Sequence, residues 1–361
     1  MSEPINLFDY EILAKQNLEP MTLDYYQSGA LDEITLQENR LAINRYQLRP
    51  RMLVDVSQRD LTTTVVGQSI AMPVLIAPMA FQCLANPEGE IATAKAAANK
   101  GVGMVLSTMS TKSLEAVAEQ RNNTPQWFQL YIHRDRALTQ ALVQRAENAG
   151  YNALCLTIDA PMLGNRESDR RNQFTLPKTM ELANLVSMAD LAIPQTTEES
   201  GLFTYFAEQI DPSVTWKDVE WLQSITTLPV ILKGILRGDD ALKAYEFGAK
   251  GIIVSNHGGR QLDGAIASFE ALPEIVAAVG DKIDILIDGG IRRGSDVLKA
   301  LALGAKAVSV GRPILWGLAV AGEKGVARVL ELLQQELDLA MALSGCASIE
   351  DIDSSLVMKI R

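Results

Sequence analysis

The chain is short of cysteine, histidine and positive charge, and each shortage narrows what it can be. Its three cysteines, Cys83, Cys155 and Cys346, form no CxxC pair. That argues against a disulfide framework or a structural zinc site and fits buried, inert thiols in a reducing compartment. No metal centre is expected. Lysine and arginine number 33 against 44 aspartates and glutamates, for a net charge of −11. So acidic a chain gains nothing from counterion release on DNA, which argues against a nucleic-acid role. A site can still gather arginines against the overall balance. No stretch reaches the ~20 apolar residues of a membrane span. The opening MSEPINLFDYEILAKQ lacks the basic-then-apolar order of a secretory signal, and the final VMKIR is not a peroxisomal tripeptide. A cytoplasmic enzyme of bacterial type, away from any membrane, is the expectation.

What is present is apolar material in a repeating order. Hydrophobic residues make up 47% and charged residues 21%, enough for a large soluble core. ALVQRAENAGYNALCLTID reads as an amphipathic helix, a glycine and an apolar strand; ALKAYEFGAKGIIVSNHG and DVLKALALGAKAVSVGRP repeat it, and EIATAKAAANKGVGMVLST is a looser copy. Continuous β-branched runs of this kind suit parallel strands buried on both faces. Candidate strands fall at 74–78, 102–108, 126–132, 153–159, 230–234, 251–256, 283–288 and 307–311. Eight such units point to an α/β fold of the (β/α)₈ barrel type. The alternative, an open doubly wound sheet, would more often carry a GxGxxG turn after its first strand, and APMAFQC is no such turn. The barrel is expected to occupy one domain, 1–361, with an N-terminal extension over 1–70. A mobile loop or lid is expected over 172–212, because the fourth interval is about twice the usual length.

Barrels of this type gather their chemistry at the C-terminal strand ends. Those ends supply Ser107, Gln129, Tyr131, Thr157, Asp159, Lys233, Ser255, His257, Asp288 and the pair Gly311–Arg312. The seventh run ends DGGIRR and the eighth ends GR, and phosphate sites commonly form after these two strands. Glycines let backbone amides approach an anion, and arginines add charge-assisted hydrogen bonds. Only two histidines exist. His257, in SNHGGRQLDG, stands at the catalytic rim with Arg260 three residues on. A group titrating near neutrality there suits proton transfer. His133, in YIHRDR, is expected to be surface or structural.

SNHGGRQLDG, LTIDAPMLGNRESDRRNQF, DGGIRRGSDVLKALALGA and MALSGC together resemble the FMN-dependent L-2-hydroxy acid oxidase family, which includes glycolate oxidase and L-lactate oxidase, over residues 10–348. The resemblance implies a barrel holding FMN across the top of its strands. It makes His257 the base and Asp159 its hydrogen-bonding partner, with Arg166 and Arg260 clamping the substrate carboxylate. It gives Tyr25 and Tyr131 hydrogen bonds to substrate oxygens. For the flavin it implies contacts from Pro78, Met79 and Ala80. Ser107, Gln129 and Thr157 would serve the ring edge, Lys233 the pyrimidine end and Ser255 the ribityl region. Asp288, Gly289, Gly290, Ile291, Arg292, Gly311 and Arg312 would cradle the phosphate.

The same resemblance implies a homotetramer, and oxidation to a 2-oxo acid by either hydride or carbanion chemistry. Ala80 stands where relatives that use oxygen tend to carry alanine, so O2 is the expected acceptor and H2O2 the product. Met79 and Met109 stand where plant glycolate oxidases have threonine and tryptophan. A flexible, apolar thioether favours a substrate methyl group, worth ~1–3 kcal/mol in discrimination, so L-lactate is expected over glycolate with both accepted. Glycolate oxidation as the main activity and a non-oxygen acceptor are the alternatives. Another phosphate-binding barrel would not require Arg166, His257 and Arg260 together. A nucleotide dehydrogenase would want a loop cysteine, whereas Cys155 lies mid-strand. A decayed scaffold would not keep every catalytic position filled.

Overall fold

Each apolar run that follows a helix and a glycine becomes a strand in the computed structural model, which describes residues 3–185, 193–194 and 200–360. The strands are β1 (Val74–Ile76), β2 (Gly103–Leu106), β3 (Gln126–Leu130), β4 (Ala153–Thr157), β5 (Val230–Ile235), β6 (Gly251–Val254), β7 (Asp284–Asp288) and β8 (Ala307–Val310). They pair in parallel, each with its neighbour in sequence, and β8 returns to β1 to close an eight-stranded barrel. Helices alternate with the strands and cover them, as a (β/α)₈ barrel requires.

The alternation of side chains divides the core in two. Leu75, Val105, Trp127, Cys155, Ile231, Ile253 and Leu286 pack together as one cluster. Val65 and Ile70, from the hairpin of Thr63–Val65 and Gln68–Ile70, belong to the same cluster and stopper the floor. Val74, Ile76, Leu154, Leu156, Ile252 and Val254 belong instead to the larger cluster shared with the helices. A strand buried on both faces cannot alternate polar with apolar residues, which is why its run is continuous.

Several strands stop short of their apolar runs. The second ends at Leu106, and beyond it Thr108 donates both its backbone N–H and its hydroxyl to Gln129 on the neighbouring strand. Polar side chains thus take over from the ladder at the rim.

The N-terminal extension forms helices Leu7–Asn17, Pro20–Gln27 and Ile34–Asn44, the first capped by the Asn6 side chain. Its strand Tyr46–Leu48 pairs with Val357–Lys359. Of the expected lid, 186–192 and 195–199 lie outside the described residues. The rest includes helix Gly201–Gln209, whose Leu202 and Phe206 face the top of the barrel.

Of the two readings of His133, surface or structural, the structure bears out the structural one: it is 1% exposed, and its Nε2 lies 3.2 Å from the Tyr205 hydroxyl. One expectation changes. Cys155 and Cys346 are buried, but Cys83 is only half-buried, in the loop after β1.

Candidate active site

The C-terminal strand ends surround one cleft, and His257 stands in its wall. His257 adopts a φ of 59°, which side chains with a Cβ rarely tolerate. Local bonds hold it there. The His257 N–H donates to Ser255 Oγ at 3.0 Å. Asn256 and Asn39 exchange amide hydrogen bonds at 2.8 Å in both directions, tying this turn to the N-terminal extension. Strain maintained by such surroundings is typical of functional positions.

His257 Nδ1 lies 2.9 Å from Asp159 Oδ1. With Nδ1–H donating to the carboxylate, Nε2 is left as the basic nitrogen. Burial pushes the imidazole pKa down; Asp159 pulls it back up and Lys233 and Arg166 oppose that, leaving it below its ordinary value. The ring is therefore neutral, and basic, near pH 7. Burial alone would raise the Asp159 carboxyl, yet His257 and Lys233 outweigh it and hold the group ionised.

Two guanidinium groups stand beside this pair. Arg166 is 5% exposed, and burial together with neighbouring Arg260 pushes it down to about 10. Arg260 donates to the carbonyls of Tyr25 at 2.6 Å and Ser28 at 3.0 Å, and lies 4.9 Å above the Tyr25 ring. Tyr25 stacks on Phe174 at 4.3 Å. Burial raises the phenols of Tyr25 and Tyr131, so both remain donors at neutral pH. Such a corner, with two cations, two hydroxyl donors and one imidazole, can bind a carboxylate and accept a proton beside it.

The rest of the cleft is built for a larger group. Lys233 Nζ lies 3.3 Å from Asp288 Oδ2 and 3.0 Å from Ser255 Oγ. Burial disfavours its charge, but Asp288 and Asp159 outweigh that and keep it protonated. Pro78, Met79, Ala80, Ser107, Gln129 and Thr157 line the cleft, as do Asp288 to Arg292 with Gly311 and Arg312. Met109 lines it too. Met79 Sδ points toward Gly311, 3.7 Å from where a Cβ there would stand.

Asp159 and Ser255 do not line the cleft; each sits behind a residue that does, Asp159 under His257 and Ser255 under Lys233. Tyr26, Ala77, Leu163, Leu202, Phe206, Gly258, Ser309, Val310 and Leu315 also line it, though the sequence did not single them out. Ala77, Ser309 and Val310 lie at the ends of the first and eighth apolar runs, a position that could have marked them; Tyr26, Leu163, Leu202, Phe206 and Leu315 come from loops and helices that carry no strand-end signal.

The profile of the FMN-dependent dehydrogenase family matches residues 14–359. The chain belongs to that family. It is 66% identical over 360 residues to an L-lactate oxidase of Nostoc sp. strain PCC 7120, covering 99% of each chain. It is 51% identical to human 2-hydroxyacid oxidase 1, covering 97% of this chain and 95% of that one. The crystal structure of mandelate oxidase with (S)-4-hydroxymandelic acid superposes with a TM-score of 0.93 at 44% identity, over 97% of both chains.

The cofactor of an FMN-dependent dehydrogenase fits the polar groups that the cleft leaves unmatched. Gln129 Nε2, Asp288 Oδ1 and Ser309 Oγ are buried with no hydrogen-bond partner among the described residues. A flavin ring edge offers acceptors for the first, and ribityl hydroxyls offer donors for the second. Arg292 and Arg312 have no ion-pair partner among the described residues, and burial lowers the pKa of both, Arg292 to about 10. Like charges from Arg260, Arg292 and Arg166 add to the effect at Arg312. A phosphate dianion would relieve that repulsion. Gly289 and Gly290, at φ 97° and 85°, let the turn pack against the N-terminal extension, since a Cβ on Gly290 would stand 2.3 Å from the Asn39 carbonyl oxygen.

Proposed function

We propose that this chain oxidises small L-2-hydroxy acids to 2-oxo acids, with L-lactate preferred and glycolate also accepted, and passes the electrons to O2 to give H2O2. The observation that carries the reading is the convergence of the paired His257 with Arg166 and Arg260 on one corner of the cleft. The similarity to an L-lactate oxidase supports the substrate class.

Arg166 and Arg260 take the carboxylate, for which planar guanidinium is the matching donor. Tyr25 and Tyr131 donate to substrate oxygens and fix which face of the α-carbon is presented. His257 Nε2 takes a proton, and Asp159 stabilises the cation so formed, as an opposite charge at hydrogen-bond distance does. Bound FMN supplies the two-electron acceptor that O2 reoxidises. Lys233 places a positive charge where electron density would accumulate. Pro78, Met79, Ala80, Ser107, Gln129 and Thr157 hold the ring; Asp288 would receive ribityl hydroxyls, with Ser255 acting on that region through Lys233. Gly289, Gly290, Ile291, Arg292, Gly311 and Arg312 would hold the phosphate; Asp288, expected there from the sequence, is instead a carboxylate paired with Lys233. Ala80 fits oxygen as the acceptor, and Met79 and Met109 fit a methyl-bearing substrate.

The barrel and its N-terminal extension over 1–70 act as one domain in this reading, with helix Gly201–Gln209 of the long insertion at the top of the barrel. The protein works in the cytoplasm as a homotetramer; no described helix is long and apolar enough to cross a membrane. Steady-state oxidation of L-lactate and glycolate with peroxide detection tests the substrate assignment. A clearly higher kcat/KM for L-lactate is expected, and a higher value for glycolate would overturn the preference.

A further inference from the structure

Gln261 follows Arg260 directly but is not among the residues lining the cleft. Its side chain instead binds the loop after β4. Nε2 donates to the carbonyls of Asp159 and Met162, both at 2.9 Å. Oε1 accepts the Gly164 N–H at 3.0 Å, and Arg166 Nη2 lies 3.5 Å from the same oxygen. Arg166 Nε donates to the Arg260 carbonyl at 3.3 Å. Gly164 completes the fit: a Cβ there would stand 2.3 Å from the Arg260 carbonyl oxygen and 2.6 Å from Gln261 Cα. The two loops therefore meet backbone to backbone, and one amide side chain serves three main-chain groups of the other loop.

This arrangement answers a physical problem. Arg166 and Arg260 carry like charge and stand close together, and the buried Asp169 carboxylate, 3.8 Å from Arg166 Nη1, offsets that repulsion only in part. Residues 158–166 form neither helix nor strand, and past the Ile158 N–H bond to the Lys233 carbonyl no strand ladder holds them to the loop after β6. Asp159, which orients His257, lies at the start of the same stretch.

We infer that Gln261 is a positioning residue that clips the loop after β4 to the loop after β6, holding Asp159 under His257 and Arg166 beside Arg260 in one fixed geometry. The inference rests on the reading that the two arginines receive the substrate carboxylate. Displacement of a binding group by about 1 Å can cost up to about a hundredfold, so the clip governs carboxylate affinity without touching substrate.

The test uses the FMN-loaded full chain and oxalate, a carboxylate probe that cannot be oxidised as a 2-hydroxy acid. Gln261→Met removes the three main-chain hydrogen bonds and the contact with Arg166 at similar length. Gln261→Glu keeps an acceptor for Gly164 but faces two carbonyls without a donor. Both variants are expected to keep FMN, while the oxalate Kd and the KM for L-lactate rise about tenfold or more and kcat falls by a smaller factor. An oxalate Kd within about twofold of the wild type in either FMN-loaded variant, whatever happens to Tm, overturns the inference. Arg166→Met, measured alongside, must raise the oxalate Kd. If it does not, the carboxylate reading itself fails; if it does while both Gln261 variants bind oxalate normally, only the role of Gln261 fails.

Discussion

His257 Nδ1 and Asp159 Oδ1 lie 2.9 Å apart, joining the ends of β6 and β4 across 98 residues of sequence. Their effects on each other are opposite in sign to the effect of burial. Burial lowers the imidazole pKa, and the carboxylate raises it part of the way back.

Replacing Asp159 with Asn removes the raising influence. The acid limb of kcat/KM, which in the wild type reports a His257 pKa below the ordinary ~6.5, is expected to move to lower pH. At the same time kcat is expected to fall by about 10²–10⁴, because the developing cation loses its partner. pH–rate profiles of both proteins check the two effects together.

Gly234 makes room for that carboxylate. It sits at an irregularity in β5, at φ 114°, and a Cβ there would come within 2.6 Å of Asp159 Cβ. Gly234→Ala is expected to destabilise the fold by about 1–3 kcal/mol and to lower kcat about tenfold or more by displacing Asp159. Thermal unfolding, steady-state kinetics and a crystal structure of the variant would show each part.

Arg312 spends its donors on the carbonyls of Tyr26, Gly258 and Ser28, which keep the guanidinium in place without neutralising it. Arg312→Met is expected to weaken FMN retention by about 10–100-fold, the value of one charge-assisted hydrogen bond. Titrating apoprotein with FMN by flavin fluorescence measures it.

His133 ties acid stability to the interior. Burial pushes its pKa down to about 4, whereas an unfolded histidine titrates near 6.5. The unfolded chain therefore binds the proton first, and stability is lost as pH falls from about 6.5 toward 4. His133→Gln should lose about 2–3 kcal/mol less than the wild type between about pH 7 and pH 4.5, by urea unfolding at each pH.

The barrel was legible because its strands are buried on both faces and so print as unbroken apolar runs such as ILIDGG and VSVGRP. The rule that chemistry gathers at strand ends then located Gln129, Thr157 and Lys233 from position alone. It could not show that Asp288 pairs with Lys233, or that Ser255 lies beneath that lysine, because contacts between strands leave no mark on the periodicity of either. Leu202 and Phe206 reach the cleft from a helix of the long insertion, where sequence spacing does not encode direction. For His133 the polar stretch left surface and structural roles both open; contacts with Tyr205 and Ile210, more than seventy residues away in sequence, place it inside.

The central claim is that His257 takes the substrate proton beside the flavin. Anaerobic mixing of the FMN-loaded protein with L-lactate, followed at the visible flavin band, tests it most directly. The wild type should bleach rapidly and recover on admission of air with release of peroxide, and His257→Ala should bleach at least about 10²-fold more slowly with its FMN retained. Equal rates of bleaching in the two proteins would contradict the account.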